Sequence, residues 1–152
     1  MHRPWFSPVV VFLAIFGLQA CAPRLDFVGI DNPKVPVASV AGATRHEVFI
    51  ITTREDSDVV GALFSELRAD ELGFASVEVS VPPTHEVGAV EYPRSLPPDP
   101  RTDFAIVQPK VFGTDSAFLG ALNAELRTLP GNRREVLFFV HGYNMSTSDA
   151  LL

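Results

Sequence analysis

The sequence is poor in cysteine, since Cys21 is the only one among 152 residues. A single cysteine excludes an intramolecular disulfide framework and any zinc site built from several cysteines. The four histidines show no metal-ligand spacing and no His-Glu-x-x-His motif. A glycine-rich loop that could cradle phosphate is also missing from the sequence, so we expect no metal, nucleotide or flavin cofactor.

Basic side chains are outnumbered, with 12 lysines and arginines against 18 aspartates and glutamates, which gives a formal net charge of −6. Such an acidic chain does not hold nucleic acid by bulk charge, and we expect no nucleic-acid partner. An apolar content of 47% is too high for a disordered chain. The length allows one domain or slightly more.

The first 20 residues have the pattern of a signal peptide. Arg3 supplies positive charge, and residues 9–18 form an uncharged, almost wholly apolar stretch of the length found in secretory signals. A bilayer span needs about 20 apolar residues, so this stretch is short for one. It ends in Leu18-Gln19-Ala20-Cys21, which resembles a bacterial lipobox.

The lipobox resemblance implies that the leader, residues 1–20, is removed and that Cys21 is acylated. The chain would then be anchored in membrane lipid at the bacterial cell envelope, with its domain in the periplasm. Ala22 follows the cysteine. An Asp at this position favours retention in the inner membrane, so Ala22 slightly favours the outer membrane. The alternatives are a plain secretory signal with an incidental cysteine and an uncleaved anchor.

Without its leader the chain has eleven basic and eighteen acidic side chains and a net charge of −7. We therefore expect acyl chains, not charge, to hold it at a membrane. Residues 21–44 contain Pro23, Pro33 and Pro36 among small residues and are predicted to be the lipidated cysteine and a tether. Residues 45–152 are predicted to be the folded domain.

The first half of that domain has strand and helix patterns. Residues 46–54 (HEVFIITTR) are β-branched and aromatic, which predicts a strand. Residues 58–72 have apolar side chains at helical spacing, which favours a short helix; these are Val60, Leu63, Phe64 and Leu67. Residues 74–83 alternate cleanly, which predicts a strand with Ala75, Val77, Val79 and Val81 facing the core and Ser76, Glu78 and Ser80 facing water.

The second half begins with a predicted turn and short strand at residues 85–92 and a proline-rich loop at 94–101. Residues 104–112 are strand-like, and Pro109 favours an edge position or a bulge. Thr114 or Asp115 can cap a helix. Its apolar stripe contains Phe118, Leu119, Leu122, Leu126 and Leu129, and Pro130-Gly131 ends it.

Residues 136–140 (VLFFV) are apolar at every position, as in a parallel strand that helices cover on both faces. Antiparallel-type strands followed by a helix–strand unit predict an α/β domain with a mixed sheet. The run leads into His141-Gly142-Tyr143-Asn144, where Gly142 lets the chain turn sharply. In open α/β sheets that end of a strand is where ligands bind.

Residues 136–152 (VLFFVHGYNMSTSDALL) resemble the oxyanion-loop segment of α/β-hydrolases, and in particular bacterial lipoproteins of the esterase/lipase superfamily whose function is unknown. The resemblance extends to FIITTR at 49–54, to GFASVEVSVPPTHEVGAVEYP at 73–93, and to the helix and strand at 115–144. It implies the N-terminal part of an α/β-hydrolase-like mixed sheet, incomplete at its C-terminal side.

The resemblance further implies serine esterase or lipase chemistry, with an ester or acyl substrate in a complete form. The amide of Tyr143 would donate one hydrogen bond to the tetrahedral oxyanion, and Asn144 would brace the loop that Gly142 and Tyr143 form. His141 would be structural and would shape that loop. His85 is likewise expected to make a structural contact.

The sequence departs from this family in one respect, because no Gly-x-Ser-x-Gly nucleophile elbow is present. That motif follows the next strand, and the acid and the base come later still. We therefore assign no catalytic residue within these 152 residues. A helix cap accounts for Ser146, and nothing in the sequence places a base beside Ser146 or Ser148.

The sequence therefore predicts a membrane-anchored lipoprotein that resembles a serine hydrolase, stops before the nucleophile and is inactive as given. The alternatives are a non-catalytic binding or structural module and one half of a split hydrolase. Either alternative needs a partner that covers the open sheet edge. An unpaired apolar strand such as 136–140 is an aggregation hazard, so poor solubility is expected wherever that edge stays uncovered.

Overall fold

The computed structural model describes residues 26–142 and 145–152. Its elements, in chain order, are the strands β1 (Thr44–Asp56), β2 (Phe64–Val81) and β3 (Ala105–Phe112), followed by the helices α1 (Asp115–Thr128) and α2 (Thr147–Leu151). Short 3-10 turns lie at Val37–Ser39 and Gly131–Arg133. The mixed α/β content predicted from the sequence is confirmed in this part of the chain.

The three strands form one antiparallel sheet in the order β1-β2-β3. Val48 lies opposite Val77 in the β1–β2 pair, and Ser80 lies opposite Ala105 in the β2–β3 pair. The strand predicted at 46–54 is confirmed within β1, and the one predicted at 74–83 is confirmed as the second half of β2. Because β2 is central, both of its edges are hydrogen-bonded.

One face of the sheet carries the even-numbered residues of β2. Helix α1 packs there through Phe118, whose ring contacts Phe49, Phe74 and Phe112 at centroid distances of 5.2 to 5.7 Å. Val37 of the first 3-10 turn covers another part of the same face and packs with Ala105 and Val107.

The opposite face carries the odd-numbered residues of β2 and holds the larger core. Phe27 and Val28 pack there against Val77, Val79 and Ile106, together with Phe104. Partly buried side chains complete this layer; they include Val48, Ile50, Tyr92, Leu151 and Leu152. The sheet is therefore covered on both faces.

The prediction that Ser76, Glu78 and Ser80 face water is wrong for the two serines, which are 2% and 0% exposed. They alternate correctly with the valines, but the even-numbered face lies under α1 and the Val37 turn. Alternation reveals which residues share a face, whereas water access depends on what packs against that face.

The helix predicted over residues 58–72 is also wrong. Gly61 adopts φ +91° and its carbonyl accepts a 2.8 Å hydrogen bond from the amide of Val28, which turns the chain back. From Phe64 onward the residues pair with β1, with Arg68 opposite Arg54. Pairing with a neighbouring strand overrides the helical spacing of the apolar residues.

The edge position predicted for residues 104–112 is confirmed, since β2 is the one strand that pairs with β3 in the described sheet; on the other side of β3, Ile106 makes an isolated bridge with Val28. Its register shifts between the partners of Ser76 and Glu78, and Gln108 takes φ +53° beside Pro109. The cap is confirmed as Thr114, whose hydroxyl accepts a hydrogen bond from the amide of Ala117 at 3.2 Å.

Residues 94–101 form the predicted loop, but residues 85–92 form turns and not a second short strand. The amide of His85 donates to the carbonyl of Pro82, and that of Ala89 donates to the carbonyl of Glu86. These local bonds occupy backbone groups that a strand would offer to a neighbour.

The buried parallel strand predicted at 136–140 is not observed. Each of these five residues is 58% to 94% exposed, and the segment joins no sheet in the described part of the chain. The mixed sheet is accordingly not observed either, since all three strands are antiparallel. An apolar run becomes a buried strand only where neighbouring strands and helices are present to cover it.

The predicted tether, residues 21–44, overlaps the folded domain from residue 26 onward. Phe27, Val28 and Val37 are at most 5% exposed and belong to the core. Asp31 and Asn32 accept hydrogen bonds from nearby backbone amides, which fixes the path of the segment across the sheet. Its proline content therefore reflects a tightly turned part of the fold.

Replacing Phe118 by alanine should destabilise the protein by about 3–5 kcal/mol, because the ring is 3% exposed and joins α1 to all three strands. Urea unfolding followed by circular dichroism measures this change in the free energy of unfolding. L119A is the matched control on the same helix, since Leu119 is 49% exposed and its loss should cost less than about 1 kcal/mol. Equal effects of the two variants would contradict the docking of α1.

The Asp99–Arg101 pair should make the free energy of unfolding depend on pH in the acidic range. Arg101 Nη2 lies 2.6 Å from the Asp99 carboxylate, and this contact lowers the pKa of Asp99 to about 2. A carboxylate with a lowered pKa stabilises the fold above its ordinary pKa of 3.8, and this stabilisation is lost as the pH falls toward 2.

We therefore expect D99N to lose less stability than the parent chain when the pH is lowered across that window, as followed by thermal unfolding at each pH. R101Q should flatten the same pH dependence, because it removes the donor. A parent-like acid profile in both variants would refute the assignment.

Candidate functional site

Helix α2, which follows the His141-Gly142 segment, is fixed to the rest of the fold by its buried N-terminal residues. Ser148 is 2% exposed; its hydroxyl accepts a 3.0 Å hydrogen bond from the amide of Phe27, and its own amide donates to Asp26 Oδ1 at 2.9 Å. Tyr92 donates to Asp149 Oδ1 at 3.2 Å. These contacts join α2 to the N-terminal segment and to the loop after β2.

The loop that precedes α2 is held at its C-terminal side. Arg54 of β1 donates a 2.8 Å hydrogen bond from Nη2 to the carbonyl of Met145. Ser146 caps the helix by accepting from the amide of Asp149 at 3.1 Å, as its sequence position predicts. The loop residues just before α2 are therefore positioned by β1 and by the cap.

The N-terminal side of the same loop is exposed. His141 Nδ1 lies 2.8 Å from the carbonyl oxygen of Gly142. Because a carbonyl only accepts, Nδ1 carries the proton and this contact turns the ring back onto its own loop. Tyr143 and Asn144, the other two predicted oxyanion-loop residues, lie outside the described residues, and so does Cys21.

Neither serine of this region is arranged as a nucleophile. The hydroxyl of Ser148 is buried and holds the Phe27 amide, while that of Ser146 contacts the amide and the carboxylate of Asp149. An activated serine needs a base within hydrogen-bond reach. Among the described residues, neither hydroxyl is hydrogen-bonded to a histidine.

His85 makes a structural contact, as predicted from the sequence. Its Nδ1 lies 2.9 Å from Glu91 Oε2, and its ring meets that of Phe104 edge-on with centroids 5.4 Å apart. Hydrogen bonds from His85 and from the amide of Glu86 lower the pKa of Glu91. The pair links the turn after β2 to the core.

A shallow groove of about 570 Å³ lies between the N-terminal segment and the loop that precedes β3. Its lining comprises Val35, Ser39, Val40, Ala41, Pro83, Thr84, Asp99, Arg101 and Thr102. The charged groups in it, Asp99 and Arg101, already neutralise each other. Within residues 26–142 and 145–152 no cluster of three histidine, cysteine or acidic side chains could hold a metal ion.

Comparisons with known proteins find no matching family model, no matching curated protein and no matching solved structure. Among the helices of the described residues, none combines the length and the apolar character of a membrane span. The sequence motifs and the geometry of the α2 region are therefore the basis for a functional proposal.

Sequence reasoning missed Asp26 and Arg54, the residues that hold α2 and its preceding loop. Both lie far along the chain from their partners, since 91 residues separate Arg54 from Met145 and 122 separate Asp26 from Ser148. Contacts at such separations leave no local pattern in the sequence. The cap at Ser146 was predictable because it acts three residues away.

The variant S148A should destabilise the protein by about 1–3 kcal/mol, because it leaves the buried amide of Phe27 without its acceptor. Chemical unfolding followed by circular dichroism measures the loss. S95A, in the exposed loop before β3, is the control and should change the free energy of unfolding by less than about 0.5 kcal/mol. A neutral S148A would mean that α2 is not tied to the N-terminal segment.

Proposed function

We propose that this chain carries the oxyanion loop of a lipid-anchored serine esterase or lipase of the α/β-hydrolase type. The nucleophile, the acid and the base would come from polypeptide other than these 152 residues. The observation that carries the proposal is the order of parts around His141. An apolar run is followed by His-Gly-Tyr-Asn and then at once by a serine-capped helix that packs on the core.

The chemistry of ester hydrolysis explains what this order of parts would do. Attack on the carbonyl carbon places negative charge on the carbonyl oxygen, and backbone N–H groups held in advance stabilise that charge. The Tyr143 amide would be one such donor. The Arg54–Met145 hydrogen bond and the Ser146 cap hold the residues that follow Asn144, which supports this role, because a donor held in advance would cost no reorganisation.

Because this sequence has no nucleophile elbow, a serine-reactive probe can test the proposal. A fluorophosphonate probe reacts with activated serines. In membranes of the native host we expect it to label a polypeptide that contains residues 21–152 or copurifies with them, while the 152-residue chain made alone stays unlabelled. Labelling of the chain alone would place a nucleophile within it and contradict our assignment. Absence of label from both samples would overturn the hydrolase proposal.

Asn144, which we propose braces the oxyanion loop, can be varied in the polypeptide that the fluorophosphonate probe labels. N144A should lower kcat for a short p-nitrophenyl ester about 100-fold with little change in KM, because a displaced oxyanion donor weakens transition-state binding alone. N123A, on the exposed side of α1, is the matched control and should retain parental kinetics. A rise in KM at constant kcat would assign Asn144 to substrate binding instead.

We further propose that Cys21 is acylated and holds the domain at the periplasmic face of the outer membrane. Incorporation of an alkyne-tagged palmitate, detected by click chemistry, should be lost in C21S. It should also be absent from the double variant S7C plus C21S, because its cysteine lies outside the lipobox. Retained labelling in that double variant would refute the lipobox. A22D should move the protein to the inner-membrane fraction, while A22S should leave it in place.

The alternative is a non-catalytic lipoprotein module, or one half of a split hydrolase, that binds a partner through its uncovered apolar segment. The observation that favours it is the exposure of residues 136–140. The fluorophosphonate experiment separates these alternatives, since a split hydrolase brings a labelled second chain and a module does not.

A further inference from the structure

The most exposed apolar feature among the described residues is the run at 136–140. Its members are exposed as follows: Val136 58%, Leu137 94%, Phe138 77%, Phe139 71% and Val140 76%. Alternate residues of an extended chain point to opposite sides, so both sides of this run are apolar and in contact with water. Contiguous exposed apolar surface of this kind marks an interaction site.

The unpaired backbone groups of residues 136–140 limit which kind of partner can cover them. No strand of the described chain pairs with residues 136–140, so their N–H and C=O groups are available to a neighbour. A lipid bilayer offers no hydrogen bonds to such groups. Another extended strand satisfies the backbone and covers the side chains together, as in recognition by strand addition.

We propose that the occupant is the same segment of a second copy of this chain, paired antiparallel about Phe138. In this register Phe138 lies opposite its own counterpart, Val136 lies opposite Val140, and Leu137 lies opposite Phe139. Glu135 of each copy then faces His141 of the other, so that the acidic residue meets the ring nitrogen of an imidazole at both ends. Every apolar residue faces an apolar residue.

Other registers lack this complementarity. A parallel in-register pair sets Glu135 against Glu135 and Arg134 against Arg134, and like charges directly opposite each other destabilise a sheet. Shifting the antiparallel pair by one residue sets Glu135 against Val140 in one direction and against Gly142 in the other.

Cysteine cross-linking tests the register, using the 152-residue chain with Cys21→Ser so that the introduced thiol is the only one. In the proposed pair the two Phe138 Cα atoms are about 4.5–5.5 Å apart, which suits a disulfide. F138C should therefore form covalent dimers under mild oxidation. Two copies of residue 136 are about 13 Å apart, too far to bridge, so V136C should give less than a tenth as much.

An equimolar mixture of V136C and V140C chains is the matched positive control, since these positions face each other. We expect it to cross-link between unlike chains about as well as F138C. If V136C alone bridges as well as F138C, the strands are parallel and the proposal is wrong. If no variant bridges, the segment is covered in another way, by lipid or by a different polypeptide, and the proposal is equally overturned.

Charge exchange tests the same register without altering the apolar run. Sedimentation velocity at about 1 to 100 µM should show a reversible dimer of the unmodified chain, in the range where small interfaces dissociate. H141E should weaken dimerisation about 10-fold by facing two carboxylates at each end. Adding E135H should restore it. A monomeric parent chain, or a double variant as weak as H141E, would overturn the proposal.

Discussion

Strand β2 is the element on which the rest of the structure depends. It is hydrogen-bonded along both edges, to β1 and β3, and it is buried on both faces in its second half. Helix α1 and the Val37 turn are arranged over one face, while Phe27, Val28 and α2 are arranged over the other. Met145 and Ser146 thus take their place from β2 indirectly, through α2 and through Arg54 of the neighbouring strand.

Features set by neighbours in sequence could be predicted. A few adjacent residues determine each of four predicted features: the β-branched run of β1, the alternation in the second half of β2, the edge position favoured by Pro109, and the Thr114 cap. The same holds for Ser146, whose capping hydroxyl lies three residues before the amide that it accepts. Each of these is a local interaction, and local interactions leave a local pattern.

Features set by distant partners could not be predicted. The spacing of Val60, Leu63 and Leu67 is helical, yet the chain turns at Gly61 and then pairs with β1. The serines of β2 are buried by α1 and by the Val37 turn, and residues 136–140 lie uncovered despite their composition. Of the candidate site, sequence resemblance alone identifies the His-Gly-Tyr-Asn loop, while the side chains that hold its surroundings became visible only in the structure.

The hydrogen bond between Phe27 and Ser148 has a consequence for the timing of folding. It closes a loop of 121 residues, and the adjacent bond from Ser148 to Asp26 closes one of 122. During synthesis the N-terminal segment has no partner for these groups until residue 148 has been made. The last layer of the core therefore forms only after translation has passed α2.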